Sequence, residues 1–194
     1  MTEIRFVVVG HHTRSYAAVR LARSLGAHLL IDDENQGANW NHRRAIEWAA
    51  QQGCRVVILE DDAEPVEGFR LLISEWLERF PDDLVSFYLG TGRPPQYQKE
   101  IAGMLVEADR TRASHIVMSK LIHGVCYSPP QSSLQQIVSR WNQTKAADYA
   151  VGDAYGGRVI YPCYSLVDHA DLPTVERHPD NEPRTERRRA WRLA

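Results

Sequence analysis

Residues 55–62, RVVILEDD, constrain the fold more than any other part of the sequence. Four consecutive apolar residues precede three carboxylates at positions 60–62. A strand without polar alternation is buried on both faces, as in a parallel sheet that helices cover on each side. Its acidic end leaves the sheet at the carboxyl edge, where open α/β sheets bind their ligands. We therefore expect an α/β protein with polar residues gathered at one edge of its sheet.

The rest of the first half alternates between strand and helix patterns. In chain order, the patterns predict a strand over 4–9, a helix over 15–25, a strand over 28–31, a helix over 41–52, a strand ending in the acids, a helix over 67–79 and a strand over 84–89. This order predicts a Rossmann-like, mixed and mainly parallel sheet flanked by helices, in a single domain with right-handed crossovers.

The second half is less regular. Residues 90–113 combine glycine, proline and charge without a sustained period, and we expect a loop over a site there. One or two strands are predicted within 115–127, a helix at about 132–142 and an extended segment at 158–167. Residues 176–194 form a charged, arginine-rich tail. Such a tail is usually solvated, although it could fold back on phosphate or contact a polyanionic acceptor.

Composition and short motifs exclude several functional classes. The 23 basic and 25 acidic residues nearly balance, which gives no sign of nucleic-acid or membrane-surface binding. Cys54, Cys126 and Cys163 lie far apart and are predicted to be reduced packing residues. The sequence has no CxxC or HExxH motif, and Gly10 is followed by HHTRSY rather than by a dinucleotide-binding or P-loop pattern.

The sequence also predicts a cytoplasmic protein. No apolar run approaches the ~20 residues of a membrane span. The first ten residues, MTEIRFVVVG, contain an acid and only a short apolar stretch, unlike a signal peptide.

Glu60, Asp61 and Asp62 are candidates for binding a divalent cation. Adjacent carboxylates repel one another, and a cation would neutralise them. Mg²⁺ and Mn²⁺ prefer oxygen ligands and commonly bridge protein carboxylates to phosphate. The alternative is an exposed acidic turn or a helix cap.

A second group of candidates precedes this cluster. Residues 35–49, NQGANWNHRRAIEWA, combine backbone amides at a helix start with Arg43 and Arg44, and both features favour phosphate. Two solvated surface arginines are the alternative. Asp32 and Asp33 end the second strand, where a carboxylate can accept hydrogen bonds from a base or ribose, unless they only form a polar turn.

Three segments, GANWNHRRA at 37–45, ILEDD at 58–62 and SLVDH at 165–169, resemble motifs of GT-A-fold glycosyltransferases. The resemblance is to the family-25-like enzymes of lipopolysaccharide and collagen glycosylation and to small phage glycosyltransferases. It implies a GT-A-like domain over residues 1–175. It also implies metal-dependent transfer of a sugar, with inversion, from a nucleoside diphosphate sugar to a hydroxyl acceptor on a saccharide, a protein or a modified DNA base.

The resemblance further implies roles for single residues. Asp62 would be the main ligand of Mn²⁺ or Mg²⁺, with His169 as the second protein ligand. Asp61 would approach the sugar or ribose, while Glu60 would be structural. The remaining contacts that the resemblance predicts for the nucleotide sugar are to base and ribose from Thr13, Arg14 and Asp33, and to diphosphate from Arg43 or Arg44.

The acceptor needs a base, because a hydroxyl group is a poor nucleophile at neutral pH. Asp148 best matches the position of the acceptor-activating base in the resembled enzymes, and Asp153 is the runner-up. Either aspartate could instead cap a helix or lie on the surface.

Two other functions stay open at this point. A nucleotidyltransferase could use a similar crevice, although residues 10–14 lack the glycine-rich, lysine-containing loop that such enzymes use for triphosphate. A catalytically silent module that binds nucleotide sugars would also fit the motifs. If the gene is a phage gene, the expected compartment is the host cytoplasm.

Overall fold

The computed structural model describes residues 3–173, 175 and 186–194. The strands are β1 (Ile4–His11), β2 (His28–Asp32), β3 (Arg55–Glu60), β4 (Ala63–Pro65), β5 (Leu84–Ser86), β6 (His115–Met118), β7 (Cys126–Ser128), β8 (Val159–Pro162) and β9 (Val167–His169). The helices are α1 (Ser15–Leu25), α2 (Ala38–Ala49), α3 (Phe69–Arg79), α4 (Pro95–Thr111), α5 (Leu134–Ser139) and α6 (Ala147–Tyr155).

A seven-stranded sheet in the order β2-β1-β3-β7-β5-β8-β6 forms the centre of the fold. β2, β1 and β3 are parallel, β7 is antiparallel to both of its neighbours, β5 and β8 are parallel, and β6 is antiparallel to β8. Five of the seven strands therefore run in one direction. This arrangement confirms the predicted mixed, mainly parallel sheet. β4 and β9 pair antiparallel in a separate small sheet.

The unbroken apolar run of β1 follows from burial on both faces of the sheet. Val7 and Val9 belong to one core, which packs against α2, α4, α5 and α6. Val8 belongs to the other core, which packs against α1 and α3. Near the end of β1, a Cβ on Gly10 would lie only 2.6 Å from the Cβ of Ala18. Glycine therefore allows α1 to pack closely against the carboxyl end of β1.

The prediction of a loop over residues 90–113 is wrong, because most of this segment forms the helix α4. Pro95 stands in its first turn, where proline costs no helical hydrogen bond. Ile101, Leu105 and Ala108 are buried at spacings of four and three residues. The proline and glycine that argued against a helix therefore stand where a helix tolerates them or where the helix has not begun.

Smaller differences concern where elements begin and end. α2 begins at Ala38, three residues earlier than predicted, and the helix expected at about 132–142 is limited to α5 with a short 3-10 turn before it. Of the predicted tail, residues 176–185 lie outside the described residues, whereas 186–194 pack on the domain through backbone hydrogen bonds. Across the part of the chain that the structure describes, no helix has the length and apolar character needed to cross a bilayer.

Candidate functional site

A cavity of about 190 Å³ opens at the carboxyl ends of β1, β2 and β3. Strand pairing brings these ends together, since His11 lies opposite Asp32 and Val9 lies opposite Glu60. The cavity is lined by Val9, Gly10, His11, Arg14, Asp32, Gly37, Ala38, Asn41, His42, Glu60, Asp61, Asp62, Val175 and Arg188. The predicted gathering of polar side chains at this edge of the sheet is therefore present.

Asp61 and Asp62 share one guanidinium. Nη1 of Arg14 donates to Oδ1 of Asp61 at 3.0 Å and to Oδ2 of Asp62 at 2.5 Å. The backbone N–H of His11 donates to the other oxygen of Asp61 at 2.8 Å. Burial raises the pKa of both carboxyl groups, and the charge of Glu60 raises the pKa of Asp62 further. Two buried acids thus lie side by side, with Arg14 compensating part of their charge.

His169 reaches Asp62 through the pairing of β4 with β9. This pairing sets Ala63 opposite His169, and the backbone N–H of Ala170 donates to the carbonyl oxygen of Asp62 at 2.8 Å. Nε2 of His169 then lies 3.5 Å from Oδ2 of Asp62. The second oxygen of Asp62, Oδ1, is buried and has no hydrogen-bond partner among the described residues.

Glu60 and His42 form a hydrogen-bonded pair that the sequence analysis did not identify. Nε2 of His42 contacts Oε1 of Glu60 at 3.2 Å, and Nδ1 contacts the hydroxyl of Tyr127 at 2.9 Å. Burial alone would raise the pKa of Glu60, but the hydrogen bond and charge of His42, together with the charges of His169 and Arg188, hold the pKa below its usual range. A Cβ on Gly124 would lie 2.5 Å from Oε1 of Glu60, so glycine leaves room for this carboxylate.

The two candidate bases differ sharply in environment. Asp148 stands in the first turn of α6, and burial raises its pKa to about 6. Glu60 and His42 lie near enough for their charges to act on that pKa. Asp153, in contrast, is paired with the ammonium groups of Lys120 and Lys145, whose hydrogen bonds lower its pKa. Asp148 therefore has the properties expected of a base that works near neutral pH, whereas Asp153 is held as an ion pair.

The two predicted phosphate-binding arginines lie outside the cavity. Arg43 donates to Glu47 at 2.9 Å, and Arg44 donates to the carbonyl oxygen of Ile31 and lies 4.4 Å from the ring centre of Trp40. Both line a separate surface depression beside α2. The predicted contact between either arginine and a diphosphate remains a prediction. The positions of both arginines outside the cavity do not favour it.

The predicted base and ribose contacts are divided between the cavity and its rim. Arg14 lines the cavity, whereas Thr13 and Asp33 are exposed. Asp32, the neighbour of Asp33, is buried in the cavity wall and accepts from the backbone N–H groups of Gln36 and Gly37. Asp32 therefore shapes the loop before α2.

Sequence reasoning missed His42 and Arg188 as cavity residues. His42 was detectable, because it shares the buried face of α2 with Ala45, Ile46 and Ala49 at helical spacing. The position of Arg188 was not detectable, because it depends on how the C-terminal segment packs against distant parts of the chain.

The cavity is compatible with the divalent cation that the resemblance implies. Within residues 3–173, 175 and 186–194, no three His, Cys, Asp or Glu side chains are grouped to hold a metal ion. A metal site with two protein ligands fits these residues better than a site with three. Oδ1 of Asp62 is buried without a hydrogen-bond partner among the described residues, and His169 lies beside this carboxylate. Mg²⁺ commonly takes one or two protein carboxylates and completes its shell with substrate phosphates and water.

Comparison with known proteins supports the fold alone. No protein-family model matches the chain, and no curated protein matches it. Among solved structures, the crystal structure of A197 from STIV is similar, with a TM-score of 0.56 and 12% sequence identity over 92% of each chain. The chain is therefore a mixed α/β protein of Rossmann-like architecture, with a polar cavity at the carboxyl edge of its sheet.

Proposed function

We propose that this protein is a glycosyltransferase that moves a sugar from a nucleoside diphosphate sugar to a hydroxyl acceptor. One observation carries the proposal. The pairing of β4 with β9 brings His169 within 3.5 Å of Asp62, which lines the cavity at the ends of three parallel strands. The sequence motifs had matched both residues to a metal-assisted diphosphate site. Asp62 and His169 are 107 positions apart in the sequence, so only the folded chain brings them together.

The donor would occupy the cavity with its diphosphate toward the acidic cluster. Glu60, Asp61 and Asp62 alone would repel a diphosphate, so positive charge is required between the two. Arg14 supplies part of it. Asp62 and His169 would hold a Mn²⁺ or Mg²⁺ ion, which when bound stabilises negative charge on phosphate oxygens as a Lewis acid.

Transfer requires one bond to form and one to break. The acceptor oxygen forms a bond with the anomeric carbon, and the bond from that carbon to the diphosphate oxygen breaks. The electron pair of the broken bond leaves with the diphosphate. Attack opposite the leaving group inverts the configuration of the anomeric carbon.

Asp148 would take the proton that the acceptor hydroxyl loses. A carboxylate with a pKa of about 6 is ionised at pH 7 and accepts a proton more readily than an ordinary surface aspartate. Asp153 is less suited, because its two lysine partners stabilise the unprotonated form.

A thermal-shift and calorimetric screen tests the binding half of the proposal. The protein is mixed with UDP, GDP, ADP, CDP and dTDP, each with Mn²⁺ and each with EDTA. We expect one or two nucleoside diphosphates to stabilise the protein, and to do so far more with Mn²⁺. Equal binding in EDTA would refute the metal-assisted site, and no binding of any diphosphate would refute the donor site.

A further inference from the structure

The C-terminal segment places Arg188 in the wall of the cavity. Nη2 of Arg188 lies 4.0 Å from Oδ2 of Asp62 and donates to the carbonyl oxygen of Leu172 at 3.0 Å. The side chain is 20% exposed. The guanidinium therefore lies beside the acidic cluster and is still accessible to a ligand in the cavity.

The backbone around Arg188 is anchored to two distant parts of the fold. The N–H of Ala190 donates to Oδ1 of Asp168 at 2.7 Å, next to His169 in β9. The N–H of Trp191 donates to the carbonyl oxygen of Leu89 at 2.8 Å. These hydrogen bonds fix the backbone from which the side chain of Arg188 extends, so the position of Arg188 in the cavity wall is set by the fold.

The chemistry of this position suits phosphate. A guanidinium presents a planar fork of donors, and its charge-assisted hydrogen bonds to phosphate are stronger than those between neutral groups. Arg14, the other arginine that lines the cavity, pairs with Asp61 and Asp62. Nη2 of Arg188 lies 4.0 Å from Oδ2 of Asp62, so both arginines bring positive charge to the carboxylates that would otherwise repel a diphosphate.

We propose that Arg188 is a diphosphate-binding residue of this cavity, a role that rests on the proposed function. Its guanidinium donates hydrogen bonds to the diphosphate of the bound donor and to the diphosphate that leaves. The segment 186–194 is then a structural part of the donor site, and a diphosphate-binding arginine comes from this segment rather than from α2, where Arg43 or Arg44 was predicted.

Calorimetry with three variants tests this assignment. The titrants are the nucleoside diphosphate that stabilises the wild-type protein most, in Mn²⁺, and the matching nucleoside without phosphate. Arg188→Gln should weaken diphosphate binding roughly ten- to hundredfold, the range for a charge-assisted hydrogen bond. Arg188→Lys should lose less. The control Arg187→Gln removes the same charge from an exposed neighbour and should stay within about twofold of wild type.

The nucleoside separates a direct contact from a structural effect. If Arg188 contacts phosphate, nucleoside affinity is unchanged in all variants. Equal losses for nucleoside and diphosphate would show that Arg188 only positions the segment around Leu172, and would overturn the assignment. Equal diphosphate affinities of Arg188→Gln and Arg187→Gln would overturn it as well. No diphosphate binding by the wild-type protein would refute the proposed function, and this assignment with it.

Discussion

Replacing Asp148 by asparagine should stabilise the folded protein at neutral pH. Burial raises the pKa of Asp148 from its ordinary value of 3.8 to about 6, so the folded protein at pH 7 carries a carboxylate that is more stable in the unfolded chain. At about 1.4 kcal/mol per pH unit, this difference corresponds to about 3 kcal/mol of unfolding free energy. Asparagine has the same shape and can still accept the hydrogen bond from the N–H of Tyr149.

The stabilisation should depend on pH in one direction. Because the folded-state pKa is raised, the stability that protonated Asp148 contributes is fully present below about pH 4 and is lost as the pH rises through 6. Asparagine does not titrate. The difference in unfolding free energy between Asp148→Asn and wild type should therefore be small at pH 4 and reach its full value near pH 7.

Urea unfolding followed by circular dichroism at pH 4, 5, 6 and 7 measures this difference. Asp153→Asn is the matched control, since Asp153 lies on the same helix but is stabilised by Lys120 and Lys145. It should destabilise the fold, by less than about 1 kcal/mol because these ion pairs are partly exposed. If Asp148→Asn is no more stable than wild type at pH 7, or if its gain is independent of pH, the raised pKa and the argument for a poised base are wrong.

Three further variants test the remaining site residues. Asp62→Asn should keep the fold and lower nucleoside diphosphate affinity in Mn²⁺ at least about tenfold, with no change in EDTA, as measured by calorimetry; an equal loss in both buffers would contradict a cation-binding role. His169→Ala should reduce the Mn²⁺ affinity of the protein, which electron paramagnetic resonance of free Mn²⁺ reports, and an unchanged Mn²⁺ affinity would remove His169 from the site. Arg43→Gln should leave diphosphate binding within about twofold, since Arg43 donates to Glu47 outside the cavity, and a tenfold loss would restore the sequence-based prediction.

The elements that the sequence predicted well are those whose pattern is local. β1 and β3 are continuous apolar runs because each is buried on both faces, and the acids after β3 lie at the sheet edge because a polar residue cannot continue such a strand. α4 was missed because two prolines stand at its start and because Gly103 lies on its exposed side, between the buried Ile101 and Leu105.

The parts of the site that could not be predicted depend on tertiary structure. Whether Arg43 faces the cavity is set by the rotation of α2 about its axis, and this rotation places Arg43 at the separate surface depression, where it donates to Glu47 on the same helix. Arg188 reaches the cavity only because Ala190 and Trp191 are bound by residues far away in the chain. The local sequence pattern predicts neither the orientation of Arg43 nor the position of Arg188.

The most direct test of the proposed glycosyl transfer is to identify the products that the protein forms from the sugar donor when water is the acceptor. The wild-type protein and Asp148→Asn are incubated with Mn²⁺ and the nucleotide sugar whose diphosphate binds best, and the products are followed by NMR. We expect the wild type to release nucleoside diphosphate and free sugar of inverted anomeric configuration, more slowly below pH 6. Asp148→Asn should bind the donor and release products at least about a hundredfold more slowly. Release of nucleoside monophosphate with sugar phosphate, or a bound donor that the wild type leaves intact, would contradict glycosyl transfer.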